Sequence, residues 1–254
     1  MQRQNLHAQF LGRGHGLMQA ALRALYPPTC AMCDAQVDQT GALCPACWRD
    51  MPFIDGACCD LCGLPLPGAP STGLQCDECI TTARPWEQGR AALLYDDTAR
   101  RLLLGLKYYN RLDTAPMAAR WMAQAAAPMV RPDTLVVPVP LSWWRLVRRR
   151  YNQAAVLGHA LARAHGLTQC PDLLVRVRHT GTQDGRTRAG RFANVQGAFR
   201  VHPRRARLLD GRHILLVDDV MTAGATLAAC AECCLAGGAA SVRVVVLARV
   251  ARAP

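Results

Sequence analysis

The chain has 254 residues, 51% of them hydrophobic, which suits one large domain or a small one beside a larger one and excludes a disordered polymer. Thirty basic against eighteen acidic residues leave a formal charge of +12, pointing to polyanionic partners such as nucleic acid, nucleotides or pyrophosphate. Lys107 is the only lysine, so an arginine-rich composition explains the charge as well as a binding surface does.

No apolar run is long enough to span a bilayer. Leu17 to Leu25 is short, is interrupted by Arg23 and has no small-residue cleavage site behind it. It reads as an amphipathic helix in an N-terminal tail over residues 1–27, not as a signal peptide, and the expected location is cytoplasmic. In that setting the thirteen cysteines are expected to be metal ligands or free thiols, with disulfides the rival reading.

Nine of the thirteen lie between Cys30 and Cys79, eight of them in Cys-x-x-Cys pairs: Cys30 and Cys33, Cys44 and Cys47, Cys59 and Cys62, Cys76 and Cys79. Such a pair on a tight turn aims both thiolates at one metal, and two pairs complete a tetrahedral zinc site. Eight ligands imply two zinc ions. The simplest assignment is Cys30/Cys33/Cys44/Cys47 and Cys59/Cys62/Cys76/Cys79; a crossed pairing of knuckles satisfies the same count. Gly63 suits a knuckle turn, and Cys58 reads as a bystander. A segment with so few large apolar side chains needs such a staple to fold. With neither histidine nor carboxylate among the ligands, both sites read as closed and structural. Composition shifts near Thr81–Pro85, which gives a zinc-binding domain over residues 28–84 and a second domain over 85–254.

Beyond residue 88 the pattern alternates. A strand is expected from Ala91 to Tyr95, helices over Asp97–Leu106 and Thr114–Ala127, and a buried strand over Thr134–Val139. A loop follows with Arg145, Arg148, Arg149 and Arg150, then a helix from Tyr151 to His165. His179 to Gly190 has no hydrophobic period and reads as a mobile loop. A strand before Asp218, a helix over Leu227–Leu235 and a strand over Val242–Leu247 close the pattern. This is an α/β fold with a mostly parallel sheet, whose ligand is expected at the C-terminal ends of the strands. The arginines read as a pyrophosphate clamp, as a solvated basic face, or as a track for single-stranded nucleic acid. Trp143 and Trp144 are expected to pack the sheet, and Cys170, Cys230, Cys233 and Cys234 to be buried packing residues. Lys107 reads as a compact ammonium kept for a pyrophosphate or as a chance exposed residue.

Ile214 to Leu227, ILLVDDVMTAGATL, is the most informative stretch. A buried strand runs into two carboxylates, then a short loop, then a helix. Loop amides with the hydroxyls of Thr222 and Thr226 make a phosphate cradle, and Gly224 lets the backbone approach a ligand closely. Asp218 and Asp219 are placed to accept hydrogen bonds from vicinal sugar hydroxyls. The combination suggests a ribose 5-phosphate; the plainer reading is a strand end with capping aspartates.

Thr222, Gly224 and Thr226 resemble, position by position, the phosphoribosyl pyrophosphate (PRPP) loop of type I phosphoribosyltransferases. The cysteine knuckles, the Pro-Val-Pro-Leu…Arg-Arg-Tyr-Asn-Gln segment over 138–153 and the Asp-Asp…Thr-Ala-Gly-Ala-Thr loop, in that order, resemble the ComF family, which includes the ComFC and GntX groups. Leu106-Lys107-Tyr108 and the segment from Gln183 to Phe199 add to the match. Departures are Arg150-Tyr151 where Gly-Phe is usual, Ala223 where threonine is commoner, and Asn110 where glycine is common.

The resemblance implies a type I phosphoribosyltransferase-like domain behind an N-terminal double zinc ribbon, with zinc in the ribbon and Mg²⁺ accompanying PRPP. It implies roles for Asp218 and Asp219 on the ribose, for Thr222, Ala223, Gly224, Ala225 and Thr226 on the 5-phosphate, and for Arg149 with Lys107 on the pyrophosphate. It also implies a part in natural transformation, handling incoming single-stranded DNA alongside DNA-uptake proteins. The alternative is a phosphoribosyltransferase acting on an acceptor the sequence does not name, without a DNA role.

Overall fold

The computed structural model describes residues 26–109, 111–178, 180 and 188–251. The chain forms two compact units, Met1–Asp50 and Met51–Pro254, so the division falls between the two cysteine quartets.

The described part of the first unit is built around its quartet. The Cys30 amide bonds the Ala35 carbonyl at 2.7 Å, beside an antiparallel bridge between Thr29 and Gln36. Cys44 caps helix α1 (Pro45–Arg49), its sulfur accepting from the Cys47 amide at 3.4 Å. Pro45 occupies the first helical position, where no donor is needed.

The second unit opens with the other quartet. Gly63 has φ +72 and lies against the backbone of Arg90 and Ala91, leaving no room for a Cβ. Helix α2 (Asp77–Thr81) begins after Cys76. Then come β1 (Gln88–Leu94), α3 (Asp97–Tyr108), α4 (Ala115–Ala126), β2 (Leu135–Pro138), α5 (Trp143–Arg149), α6 (Gln153–His165), β3 (Thr168–Gln169) and β4 (Leu174–Arg176). The chain continues through α7 (Arg188–Val195), β5 (Phe199–Val201), β6 (His213–Met221), α8 (Ala225–Ala236) and β7 (Ser241–Arg249). Local chemistry sets the helix ends. Asp96 accepts from the Ala99 amide at 2.8 Å to start α3, Asn152 accepts from Ala154 at 3.1 Å to start α6, and Gly166 at φ +66 ends α6.

Five strands form a parallel sheet in the order β1-β7-β6-β2-β3, while β4 and β5 pair antiparallel. The central strands β2, β6 and β7 are mostly apolar on both faces, as burial under helices requires. Leu135, Val137, Ile214, Leu216, Val244 and Val246 share a core with α8 and with the second cysteine quartet. The alternate residues Val136 and Val217 face α6, close to Gly158. Among the described residues no helix is long and apolar enough to cross a membrane.

Three differences from the expected elements bear on the site. Arg145, Arg148 and Arg149 stand on a helix, α5, not in a loop; that helix buries none of its residues, so no apolar period marks it. β3, β4 and β5 are two or three residues long, too short to show alternation. Arg188, Ala189 and Gly190, expected at the end of a loop, open α7; His179 and residues 181–187 of that loop lie outside the described residues, as do Leu17–Leu25 and Asn110.

Candidate phosphate and sugar site

From β2 the chain moves outward to β3, then returns to the other side of β2 as β6. A crevice at the C-terminal ends of two such strands is where open α/β sheets take ligands. Asp218 and Asp219 lie there, two residues before the end of β6.

Successive strand residues face opposite ways, so the two carboxyls meet different surroundings. Asp219 pairs with the Lys107 ammonium at 3.0 Å, reached from the last turn of α3. Asp218 accepts the Asp219 amide at 2.8 Å. Burial, and then the charge of Asp219, push the Asp218 carboxyl up to about 7, opposed by that amide and by Lys107 and Arg176. The structure thus brings Lys107 beside the acidic pair.

After Met221 the chain turns through Thr222 and Ala223 to Gly224, whose φ of +78 places it as the residue before α8. Asp218, Met221, Thr222, Gly224, Ala225 and Thr226 line a small open pocket at that helix N-terminus. A Cβ on Gly224 would lie 2.9 Å from Arg84 Nη1 and 3.3 Å from the Trp86 ring, so glycine is needed for space as well as for φ. Ala223 turns its carbonyl to Arg84 Nη1, which donates to it at 2.7 Å.

The third segment is the junction of α5 and α6. The Arg149 guanidinium stands 5.3 Å from the Tyr108 ring centroid, and its Nη1 donates to Gln153 Oε1 at 3.1 Å. Arg148 lies over the same ring at 5.8 Å. Tyr151 Oη and Gln153 Nε2 both donate to the Leu106 carbonyl, at 2.5 and 3.4 Å, which pins the end of α3 carrying Lys107. Lys107 and Arg149 are thus joined through Tyr108, while Asp218, Asp219 and the loop follow one another on β6 and α8.

The two tryptophans depart from expectation. Trp143 and Trp144 are each 70% exposed and do not pack the sheet. They stand on the outward side of a helix with no buried face, beside Val147 at 54%.

Three arginines of the site went unread in the sequence. Arg84 and Arg249 donate to carbonyls of the loop, and Arg176 of β4 lies within the field of Asp218 and over the Phe199 ring at 5.3 Å. A charge closing the apolar run of β7 was the available signal for Arg249.

The sulfurs of Cys30, Cys33, Cys44 and Cys47 lie within 4.8 Å of one another, and so do those of Cys59, Cys62, Cys76 and Cys79. Sulfurs around a tetrahedral zinc are about 3.8 Å apart at normal Zn–S length, so both quartets fit the ion and the crossed pairing is excluded. Burial resists ionisation of Cys30, but amide donors from Cys44, Met32 and Cys33 outweigh it and bring the thiol down to about 6. Hydrogen bonds from Cys62 and Cys79 draw Cys59 well below the ordinary thiol range. These are structural zinc sites, without an open position. Cys58 belongs to neither quartet, and burial raises its thiol above the usual range. Cys170, Cys230 and Cys234 are buried, as expected of packing residues, and Cys233 is half-buried.

Residues 21–80 match the family described as a double zinc ribbon domain, and residues 154–253 match the phosphoribosyl transferase domain family. The DNA utilization protein YhgH of Salmonella typhi is 33% identical over 226 residues, covering 87% of this chain and 89% of that protein. Competence protein F of Haemophilus influenzae is 30% identical over 157 residues, 60% of this chain and 68% of that protein. Competence protein ComFC of Bacillus subtilis is 27% identical over 232 residues, 84% of this chain and 90% of that protein. With a double zinc ribbon ahead of a phosphoribosyltransferase-type parallel sheet, and relatives matched over most of their length, the chain belongs to the ComF family.

Proposed function

We propose that the chain binds PRPP with Mg²⁺ at the C-terminal end of β6 and acts in the handling of incoming single-stranded DNA during natural transformation. The observation that carries the ligand is the Lys107–Asp219 pair at 3.0 Å beside a helix N-terminus opened by a left-handed glycine. A helix N-terminus, two carboxylates and the Lys107 ammonium follow one another at the end of β6, and PRPP offers a phosphate, a diol and a pyrophosphate in that order.

In this reading the amides of the Thr222–Thr226 loop and the two threonine hydroxyls hold the 5-phosphate. Asp218 and Asp219 accept from the ribose hydroxyls. Lys107 and Arg149 hold the pyrophosphate, the first as a point charge and the second as a planar fork already oriented by Tyr108 and Gln153. Asp218 and Asp219 with the ligand oxygens would form a set of hard donors that suits Mg²⁺, which would supply charge neutralisation to the pyrophosphate. The DNA arm is supported by the family and by the exposed Trp143 and Trp144 beside Arg145 and Arg148, where bases stack on indoles and arginines follow phosphates. A cytoplasmic setting accords with cysteines used as zinc ligands.

Calorimetric titration of PRPP into the zinc-loaded protein tests the ligand. Saturable, Mg²⁺-dependent binding is expected, lost in the double variant Asp218→Asn/Asp219→Asn; absent or unchanged binding overturns the reading. Repeating the titration with single-stranded DNA tests the second arm. DNA binding at low salt that weakens steeply as salt rises is expected, and no DNA binding at low salt removes that arm while leaving the ligand intact.

A further inference from the structure

Glu78 stands between two zinc ligands, Cys76 and Cys79, yet its carboxylate is directed to the phosphate loop. Its Oε1 accepts from Arg84 Nη2 at 3.0 Å and its Oε2 from Arg249 Nη2 at 2.8 Å. The two arginine side chains are 0% and 3% exposed and that of Glu78 is 13%. The far side of each guanidinium then reaches the loop: Arg84 Nη1 donates to the Ala223 carbonyl at 2.7 Å, and Arg249 Nη1 to Thr222 at 2.7 Å and Met221 at 3.4 Å. The charges of Arg84 and Arg249 also act on zinc-ligand thiols, those of Cys79 and Cys62 respectively. One largely buried carboxylate thus joins a zinc knuckle to two consecutive peptide carbonyls of the loop, those of Thr222 and Ala223.

The peptide plane makes that arrangement consequential. In a trans peptide the carbonyl and the next amide point in opposite directions, and there is no cis bond among the described residues. Holding the carbonyls of Thr222 and Ala223 toward the arginines therefore aims the amides of Ala223 and Gly224 the other way. Donors aimed in advance cost nothing to reorganise when an anion arrives. A buried ion triad is a poor means of stabilising a fold, because desolvation offsets most of the Coulomb attraction. Its value here is in orientation.

We propose that Glu78 is a positioning residue for the phosphate-binding loop, acting through Arg84 and Arg249, so that the second zinc site sets the affinity for a phosphate monoester. This rests on the function proposed above. It goes further by assigning the ribbon a part in ligand binding through residues that never touch the ligand. Removing the carboxylate leaves two buried guanidiniums facing each other; they separate, and the carbonyls they hold lose their fixed direction.

The test uses the full chain with both zinc sites loaded and two probes that divide the site: ribose 5-phosphate for the loop, and Mg²⁺–pyrophosphate for the Lys107 and Arg149 side. In Glu78→Gln, ribose 5-phosphate affinity is expected to fall at least tenfold, about 1.4 kcal/mol, while pyrophosphate affinity changes less than about twofold and zinc stays at two per chain. Unchanged ribose 5-phosphate affinity, or an equal loss on both probes, overturns the proposal. If Glu78→Gln loses zinc or fails to fold, Arg84→Lys decides: it keeps a positive charge beside Glu78 and loses the fork to Ala223, so the same selective loss is expected, and its absence overturns the proposal. A wild-type protein that binds neither probe instead defeats the PRPP reading itself.

Discussion

Asp218 is the residue whose chemistry depends most on the fold. Its carboxyl ordinarily titrates near 3.8 and is pushed up to about 7 by burial and by its neighbour Asp219. Between those values the folded protein holds a proton that the unfolded chain has released, so folding stability decreases as pH rises through that window. Below it both states are protonated, and above it the cost of the buried charge is fully present. In thermal melts of zinc-loaded protein from about pH 5 to about pH 8 this contribution lowers the melting temperature as pH rises, against the opposite slope that the zinc thiolates give. Asp218→Asn should lack that part of the slope; equal slopes would mean the carboxyl titrates normally. Asp219 instead pairs with the Lys107 ammonium at 3.0 Å. Two adjacent acids therefore divide the work, one bridged to an ammonium, the other held neutral or charged according to pH and ligand.

At the scale of elements, the β6–loop–α8 unit was legible because each part carries its own mark: four apolar residues, two acids, a left-handed glycine, a helix-forming run. Gly224 shows how tightly these agree, since φ is +78 and Arg84 Nη1 fills the space a Cβ would need. Gly224→Ala is expected to destabilise the second unit by about 1–3 kcal/mol, read as a lower denaturant midpoint at unchanged slope. No loss would mean the loop relaxes without cost. The cysteine pairs were equally legible, and geometry resolved the pairing that their spacing left open. Other elements were hidden for physical reasons. α5 buries nothing, so its seven residues carry no apolar stripe, and Trp143 and Trp144 read as core only because bulky rings usually are. The Glu78–Arg84–Arg249 triad joins residues up to 171 positions apart, which no local pattern announces.

For the whole molecule, the two units of the chain divide the zinc sites between them. In the first quartet Cys33 is exposed and Cys47 half-buried, whereas all four ligands of the second are buried in the core shared with the sheet. A chelator must reach the sulfurs or wait for local unfolding, and the buried site opens only with its surrounding core. Zinc release followed with a metal-sensitive dye should proceed in two steps of equal amplitude, the first fast and the second slower. Variants of Cys33 should remove the fast step alone, and a single phase for both ions would show that the units open together. The formal charge of +12 belongs to this scale as well, since arginine-rich surfaces attract polyanions without specifying where they dock.

The lone lysine has a practical corollary. Lys107 is the only side-chain amine in 254 residues, and it sits at the site, bonded to Asp219 and 20% exposed. A lysine-directed protease has a single bond to cleave, between Lys107 and Tyr108, and an acylating reagent a single ε-amine to label. The protein therefore carries its own chemical footprint: whatever shields that amine reports directly on occupancy of the crevice, with no engineered tag and no second lysine to confuse the reading.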